Sequence, residues 1–189
     1  ETLRYDPQGG YFLLDRHLDR LGNSANYFGF VFDEAVVRQQ LLTETEGFDT
    51  GVYRVRCVLN RLGEAFVEAV GLPPAQIRPW AVDFAITPVN SQDVMLFHKT
   101  TERAKYESRI AERPDCDEVI LVNERGEVTE CTIGNLVVAK GGKQMTPSIE
   151  CGLLAGTFRA ELLACGKVEE RVLIVEDVKQ ADALFMINS

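Results

Sequence analysis

Short turns connect many of the strand-like segments in this chain of 189 residues, and this feature restricts the folds that the chain can adopt. Segment Gly51–Leu59 is predicted to form a strand, and the turn Asn60–Gly63 returns the chain into a second strand, Glu64–Val70. Hairpins of this kind pair their strands antiparallel. The other predicted strands are Tyr11–Leu14, Trp80–Ile86, Val94–Phe97, Glu118–Asn123, Val128–Cys131, Asn135–Ala139, one ending near Thr146, Val172–Val175 and Leu184–Ile187.

Helical patterns alternate with these strands. Leu18, Leu21, Ala25 and Phe28 recur at helical spacing, and Asp15 is expected to cap the helix that they mark. Further helices are predicted from Asp33, at Glu102–Arg113 and at Gly156–Cys165. Interleaved helices and hairpins together predict a fold of the α+β class.

A polar segment that contains a proline, TPVNSQD at Thr87–Asp93, separates the chain into two halves. We expect this segment to be a linker. The predicted organisation is a smaller α/β domain at residues 1–86, the linker at 87–93 and a larger domain at 94–189. A chain of this length is long enough for one large domain or two small ones.

Composition excludes several classes of partner. The formal net charge of -9 argues against nucleic acid, whose phosphates attract basic surfaces. No apolar run approaches the roughly 18 residues of a membrane span, and the opening residues contain no apolar stretch of a signal peptide. The five cysteines are widely spaced without a C-x-x-C pair, so we expect reduced thiols and no metal site. A cytoplasmic location is the expectation.

Four polar features occur at positions where folding alone does not explain a polar residue. Lys99 ends a predicted apolar strand, and Glu130 lies inside the strand-like run VTEC. Gly156 and Thr157 open a helix whose first N–H groups are suited to bind phosphate, and Arg20 borders an apolar helix stripe. Each feature taken singly is also compatible with a surface charge, an edge-strand charge, a plain helix start or a solvated ion pair.

The order of these features resembles the fold-type-IV pyridoxal-phosphate enzymes, which include branched-chain aminotransferases, D-amino-acid aminotransferases and aminodeoxychorismate lyases. The resemblance extends over nearly the whole chain and implies a two-domain α+β architecture like that of D-amino-acid aminotransferase. The matching motifs are ETLR at Glu1–Arg4, HLDRL at His17–Leu21, HKTT at His98–Thr101, TECTIGNL at Thr129–Leu136, LAGTFR at Leu154–Arg159 and FMINS at Phe185–Ser189.

The resemblance also implies a cofactor and roles for individual residues. The cofactor is pyridoxal 5'-phosphate, Lys99 is the lysine that binds it covalently and moves protons, and Glu130 faces its pyridine nitrogen. The residues that the resemblance assigns to the phosphate group are Arg20, Thr157, Phe158 and Ser189. We expect Arg20 and the helix start at Gly156–Phe158 to contribute to one anion site.

The spelling HKTT-x-R-x-x-Y, together with YFLLDRHLDRL, is most similar to the lyase branch of the family. The implied reaction converts 4-amino-4-deoxychorismate into 4-aminobenzoate and pyruvate, in folate biosynthesis. Arg54 and Arg56 alternate along one strand face and are candidates for the carboxylates of a small anionic amine substrate, although an exposed strand face explains them equally well. A branched-chain or D-amino-acid transaminase is the alternative on the same scaffold, and a cofactor-free remnant that serves as an interaction domain is another.

The resemblance further implies partners. Its members suggest a homodimer and a fusion or association with an aminodeoxychorismate synthase component. The chain lacks the family's hairpin before ETLR and stops after Asn188–Ser189, so we expect it to be trimmed at both ends.

Overall fold

The computed structural model describes residues 1–73 and 78–189, which form two compact units, the second beginning at Arg78. The first unit contains β1 (Thr2–Asp6), β2 (Gly10–Tyr11), α1 (Leu14–Phe28), α2 (Glu34–Glu44), β3 (Tyr53–Leu59) and β4 (Ala65–Gly71). The second contains β5 (Val82–Phe84), α3 (Ala104–Ala111), β6 (Glu118–Val122), β7 (Val128–Cys131), β8 (Asn135–Lys140), β9 (Lys143–Pro147), α4 (Thr157–Ala164), β10 (Glu169–Arg171), α5 (Val175–Lys179) and β11 (Ala183–Ile187). Two 3₁₀ turns, Val94–Leu96 and Ile149–Cys151, lie before α3 and α4. The predicted α+β class is confirmed.

The first unit is an antiparallel sheet covered on one face by two helices. Its strand order is β2-β1-β3-β4, and Leu3 pairs with Val55 at the centre. Leu18 of α1 and Leu41 of α2 pack with these residues in one buried cluster. The helical spacing of the apolar residues therefore sets the face of α1 that the sheet covers. The predicted Asn60–Gly63 hairpin joins β3 to β4 in antiparallel register.

The start of α1 differs from the prediction. The strand at Tyr11–Leu14 is limited to Gly10–Tyr11, because Leu13 adopts a left-handed conformation with φ of 54° and the helix begins at the next residue. Asp15 consequently lies inside the first turn rather than at the cap, and its carboxylate pairs with Arg38 at 2.8 Å.

Two sheets form the second unit. One has the strand order β10-β9-β8-β11, and the other has the order β5-β6-β7. The chain enters the second sheet through β5, which pairs parallel with β6. Strands β6, β7 and most of β8 are buried on both faces, so functional groups on them are shielded from water.

The boundary between the units also differs from the predicted linker at 87–93. Residues 78–93 belong to the second unit. Val89 forms a parallel bridge with Asn123, and the backbone N–H and hydroxyl of Ser91 both donate to Glu124, at 2.8 and 2.7 Å. These bonds tie the polar segment to the β6–β7 hairpin, so it cannot act as a free connection.

Two predicted strands are wrong. The apolar run Val94–Phe97 forms a 3₁₀ turn, because the Asp93 carboxylate accepts the backbone N–H of Met95 and caps the turn while Leu96 is buried. The predicted strand Val172–Val175 does not form: β10 ends at Arg171, Ile174 makes only an isolated bridge with Glu127, and α5 begins at Val175. There the Asp177 carboxylate accepts the N–H of Ile174 at 3.1 Å and initiates the short helix.

Neighbouring leucines on α2 allow a direct test of the first core. Leu41 is 1% exposed and Leu42 is 49% exposed. Leu41→Ala is expected to lower the free energy of unfolding by about 2–5 kcal/mol, because the removed atoms leave a cavity. Leu42→Ala is expected to change it by about 0.5 kcal/mol or less. Urea unfolding at pH 7 measures both values, and equal losses in the two variants would contradict this packing.

Candidate active site

Glu130 lies in the centre of the second unit, on β7, where all four residues of the strand are buried. Its side chain is 4% exposed. The hydroxyl of Tyr106 donates to Oε1 at 2.9 Å, and Nδ2 of Asn135 donates to Oε2 at 3.4 Å. The backbone N–H of Leu154 is a third donor. These three donors satisfy the carboxyl, because burying an acid without hydrogen-bond partners costs free energy.

Electrostatics at this carboxyl are unusual. Burial raises the pKa of Glu130 to about 8, against the opposing effects of the Tyr106 and Leu154 hydrogen bonds and of the positive charges on Lys99 and Arg103. The acid is therefore largely protonated at neutral pH in the protein alone. A cationic group placed beside it would favour its ionised form. Perturbed acids of this kind concentrate at functional sites.

Lys99 follows the Val94–Leu96 turn and precedes α3, and it is half-buried. Its charge is close enough to lower the pKa of Glu130. The neighbouring amine, on Lys105, forms an ion pair with Asp93 instead. Burial lowers the pKa of His98, so this neighbour of Lys99 is neutral at pH 7. The structure thus brings the predicted lysine and the predicted glutamate into one electrostatic environment.

Two residues of this site were missed as functional candidates by sequence reasoning. The guanidinium of Arg103 lies 4.8 Å from the centre of the Tyr106 ring, and its Nη2 donates to the carbonyl of Thr132 at 2.6 Å. Arg103 and Tyr106 are three residues apart at the start of α3, so they share one helix face. The R-x-x-Y spacing was visible in the sequence, but its mostly polar surroundings, TERAKYES, gave no reason to place the tyrosine beside Glu130.

The start of α4 lies next to the same carboxyl. Asn135, which contacts Glu130, also donates to the carbonyl of Leu154 at 2.8 Å. A β-carbon on Gly156 would lie only 1.9 Å from Oδ1 of Asn135, so glycine is required there. The helix then begins at Thr157, which is buried. The first N–H groups of a helix have no partner within the helix and form its positive end.

A buried arginine holds this helix in place. Nη2 of Arg159 donates to the carbonyl of Pro147 at 2.7 Å and to Oε2 of Glu170 at 2.5 Å. Ser148 donates to the other carboxylate oxygen of Glu170 at 3.0 Å. Burial raises the pKa of Glu170, but the bonds from Arg159 and Ser148 outweigh it and lower the pKa overall. The ionised pair therefore fixes the first turn of α4 against β9 and β10.

Arg20 lies on α1 in the first unit, where the side chain of Glu1 binds it. Nε and Nη2 of Arg20 donate to Glu1 at 3.0 and 2.6 Å, and Nδ1 of His17 is 2.7 Å from the same carboxylate. His17 is fully buried. Burial raises the pKa of Glu1, but the His17 and Arg20 bonds outweigh it and lower the pKa well below its usual range.

The remaining predicted site residues occupy exposed or terminal positions. Arg54 and Arg56 lie on the exposed face of β3, as their alternation predicted, and Arg56 pairs with Glu68 at 3.1 Å. Ser189 lies two residues beyond β11. The roles assigned to these residues stay predictions, as do those of Phe158 and Arg20.

Within residues 1–73 and 78–189, no group of three or more His, Cys, Asp or Glu could hold a metal ion. In the same ranges, no helix has the length and apolar character that crossing a bilayer requires. The five cysteines are thiols, and Cys57, Cys131 and Cys151 are buried.

Comparison with solved structures identifies the class of protein. A Mesorhizobium loti structure named "Putative amino-acid aminotransferase" has a TM-score of 0.93 and 39% identity, over 100% of this chain and 93% of that one. A Thermotoga maritima structure named "putative branched-chain amino acid aminotransferase" has a TM-score of 0.87 and 26% identity, over 100% of this chain and 71% of that one. The fold is that of the fold-type-IV pyridoxal-phosphate enzymes, as predicted.

Sequence comparison gives the family. The family model described as Amino-transferase class IV matches residues 1–189, and the chain therefore belongs to this family of pyridoxal-phosphate-dependent enzymes. A Schizosaccharomyces pombe protein named "Putative aminodeoxychorismate lyase" is 31% identical over 198 residues, which cover 100% of this chain and 84% of the relative. The expectation that the chain is trimmed at both ends stays a prediction.

The raised pKa of Glu130 predicts a pH effect on stability. Because the folded state binds this proton more tightly than the unfolded state, unfolding releases it between pH 4.5 and about 8. The free energy of unfolding of the cofactor-free protein should therefore fall as the pH rises through this range. Glu130→Gln is neutral at every pH, so we expect a smaller fall in this variant. Urea unfolding at pH 5, 7 and 9 measures the difference.

The matched control is Glu68→Gln, which removes an exposed carboxylate. We expect this variant to keep the pH dependence of the unchanged protein. A Glu130→Gln variant whose stability follows pH as steeply as the unchanged protein would show that Glu130 is ionised in the folded state.

Proposed function

We propose that this chain is a pyridoxal-phosphate-dependent lyase that converts 4-amino-4-deoxychorismate into 4-aminobenzoate and pyruvate. The observation that carries the proposal is the buried Glu130 carboxyl, whose pKa is raised by burial and lowered by the charge of Lys99. The name of the Schizosaccharomyces pombe relative and the HKTT-x-R-x-x-Y spelling favour the lyase. The name of the Mesorhizobium loti structure favours an aminotransferase, which is the second candidate.

The residues of the second unit fit the cofactor. A buried acid with a raised pKa suits a basic ring nitrogen, since proton sharing between the two relieves the cost of burying the carboxylate. In the proposal Lys99 binds the cofactor covalently and Glu130 binds the pyridine nitrogen. The phosphate group is assigned to Arg20, Thr157, Phe158 and Ser189. Pyridoxal phosphate, when bound, supplies an electron sink for charge that develops at the substrate carbon.

Each residue then has a defined task. Glu130 would hold a proton at the ring nitrogen, because the positive charge of the protonated ring stabilises the ionised carboxylate. The N–H groups at the start of α4 oppose the phosphate charge, and the helix cannot shift because Arg159 holds it. Contacts of these groups with a phosphate would orient the cofactor toward Lys99, and the chemistry needs that fixed orientation.

Lys99 is the proposed proton carrier. With substrate held at the cofactor, the amine of Lys99 would act as a general base that takes the proton from the ring carbon bearing the substrate amine. Loss of this ring proton and departure of the three-carbon side chain as pyruvate leave an aromatic product. The proton that Lys99 then carries is available for the departing group. Arg54 and Arg56 are the proposed contacts for substrate carboxylates, with the exposed-face alternative retained.

The proposal also includes a homodimer, association or fusion with an aminodeoxychorismate synthase component, and a cytoplasmic location in folate biosynthesis. The dimer, the synthase component and the pathway come from the resemblance, and the cytoplasmic location comes from the composition. A remnant without cofactor, acting as an interaction domain, is the candidate of another class, and the retained Lys99 and Glu130 speak against it.

The covalent role of Lys99 can be tested with pyridoxal phosphate and borohydride. We expect the unchanged protein to gain a visible absorption band and, after reduction, a stable adduct on Lys99 that peptide mass spectrometry locates. Lys99→Ala should abolish this adduct. Lys105→Ala is the control, because its amine is paired with Asp93, and it should retain the adduct. An adduct on Lys105, or absence of any band in the unchanged protein, would overturn the assignment.

The type of reaction can be tested by supplying substrates separately. With aminodeoxychorismate alone, we expect pyruvate and 4-aminobenzoate in equal amounts, because elimination needs no keto-acid acceptor. With branched-chain or D-amino acids and 2-oxoglutarate, we expect little glutamate. A transaminase must release one product before it binds a second substrate and so shows ping-pong kinetics. Efficient glutamate formation in the second assay, with no pyruvate in the first, would show that the chain is a transaminase and not a lyase.

A further inference from the structure

The orientation of the Glu130 carboxyl is set by contacts to which the proposed function assigns no role. The hydroxyl of Tyr106 donates to one oxygen at 2.9 Å, and Asn135 lies 3.4 Å from the other. The backbone N–H of Leu154 adds a third donor. The terminal torsion of a glutamate is otherwise broadly distributed. Donors on both oxygens therefore restrict the carboxyl to one orientation.

The Tyr106 ring is itself held from the side. The Arg103 guanidinium lies 4.8 Å from the ring centre, and it donates to the carbonyl of Thr132 at 2.6 Å. Thr132 follows Glu130 by two residues, and Arg103 follows Lys99 by four. The segment after the lysine and the end of β7 are thus joined by two contacts, one through the tyrosine hydroxyl and one through the arginine.

We propose that Tyr106 is a positioning residue, whose hydroxyl fixes the orientation of the Glu130 carboxyl and stabilises its ionised form. The proposal rests on the role of Glu130 in the proposed function. An ionised carboxylate can only accept hydrogen bonds, so the tyrosine must donate, and such charge-assisted bonds are strong. Burial raises the pKa of Tyr106 well above its usual range, and its hydroxyl therefore keeps its proton at neutral pH.

The other groups that face Glu130 have smaller effects or none. Among the contacts that lower the pKa of Glu130, the hydrogen bond from Tyr106 is the largest, followed by the Leu154 N–H and by the charges of Lys99 and Arg103. Asn135 carries no charge. Burial raises the pKa of the adjacent Cys131 thiol, which is therefore neutral as well. Removal of the tyrosine hydroxyl should therefore change the pKa of Glu130 more than removal of any of these other groups.

The test is an infrared titration of the full chain without added cofactor. The carboxyl band of Glu130 is assigned as the one that Glu130→Gln removes. Tyr106→Phe keeps the ring and the arginine contact but removes the donor, so we expect the midpoint of Glu130 to rise by about one pH unit, a tenfold change in proton affinity. Tyr11→Phe is the control, because that hydroxyl donates to the carbonyl of Leu41 in the first unit, and it should leave the midpoint unchanged.

A second variant separates a positioning role from a merely structural one. Tyr106→3-fluorotyrosine retains the hydroxyl and makes it a stronger donor, so the midpoint of Glu130 should fall. A packing defect would not move the midpoint in opposite directions in the two variants. An unchanged midpoint in Tyr106→Phe, or equal shifts in Tyr106→Phe and Tyr11→Phe, would overturn the proposal. If Tyr106→Phe does not fold, the direction of the fluorotyrosine shift decides.

Titration of the same variants with pyridoxal phosphate distinguishes this proposal from the proposed function. We expect Tyr106→Phe to bind the cofactor about tenfold more weakly than Tyr11→Phe, because the ionised carboxylate that faces the ring nitrogen is less stable. A shifted midpoint in a protein that binds no cofactor would overturn the proposed function and leave the role of Tyr106 at Glu130 intact. Cofactor binding by a Tyr106→Phe variant whose Glu130 midpoint is unshifted would overturn the role of Tyr106 and leave the proposed function intact.

Discussion

The buried carboxyl of Glu130 links several elements of the second unit. Placing an acid on a strand that is covered on both faces costs free energy, and the raised pKa of Glu130 expresses this cost. The cost is tolerated because donors from three separate segments meet at the two oxygens. Tyr106 comes from α3, Asn135 from β8 and Leu154 from the segment before α4. The positions of these elements are therefore linked through a single side chain.

Close approach of backbone segments follows from this requirement. Asn135 reaches both the carboxyl and the Leu154 carbonyl only because Gly156 has no side chain to exclude it. Gly134 has a similar constraint, since a β-carbon there would lie 2.7 Å from the carbonyl oxygen of Ile187. Gly156 of the LAGTFR motif thus serves packing around the acid, and Gly134 of the TECTIGNL motif admits the end of β11. The glycine positions of the sequence motifs and the position of the buried carboxyl therefore reflect the same backbone packing.

The sequence predicted secondary structure best where a long periodic pattern was compatible with only one type of element. The helix of Leu18 and Leu21 and the β3–β4 hairpin are examples, and the strand that carries Glu130 was predicted as well. It failed for Val94–Phe97, because a run of four apolar residues fits a buried strand and a buried turn equally well. The outcome there depends on the capping carboxylate of Asp93, a local competitor that periodicity does not detect.

Contacts distant in sequence were beyond the reach of pattern reasoning. Tyr106 and Glu130 are 24 residues apart, and nothing in either motif indicates that they meet. The buried state of His17 is a further example. It results from the Glu1 carboxylate, which lies 16 residues away in sequence and is also bound by Arg20. An apolar stripe predicts which face of a helix is covered, but it does not predict a polar partner within that face.

The contacts of Arg20 affect how it would bind the phosphate group that we assign to it. Its guanidinium is bound along one edge by Glu1, so it cannot rotate freely, and the cost of ordering it is met during folding. Burial lowers the pKa of His17, so the histidine is neutral while Glu1 is ionised. The ionised Glu1 carboxylate therefore offsets the positive charge of the Arg20 guanidinium. An anion that binds Arg20 would gain less from long-range attraction than from hydrogen bonds of fixed direction. Such a residue selects for the geometry of a phosphate group more than for its charge.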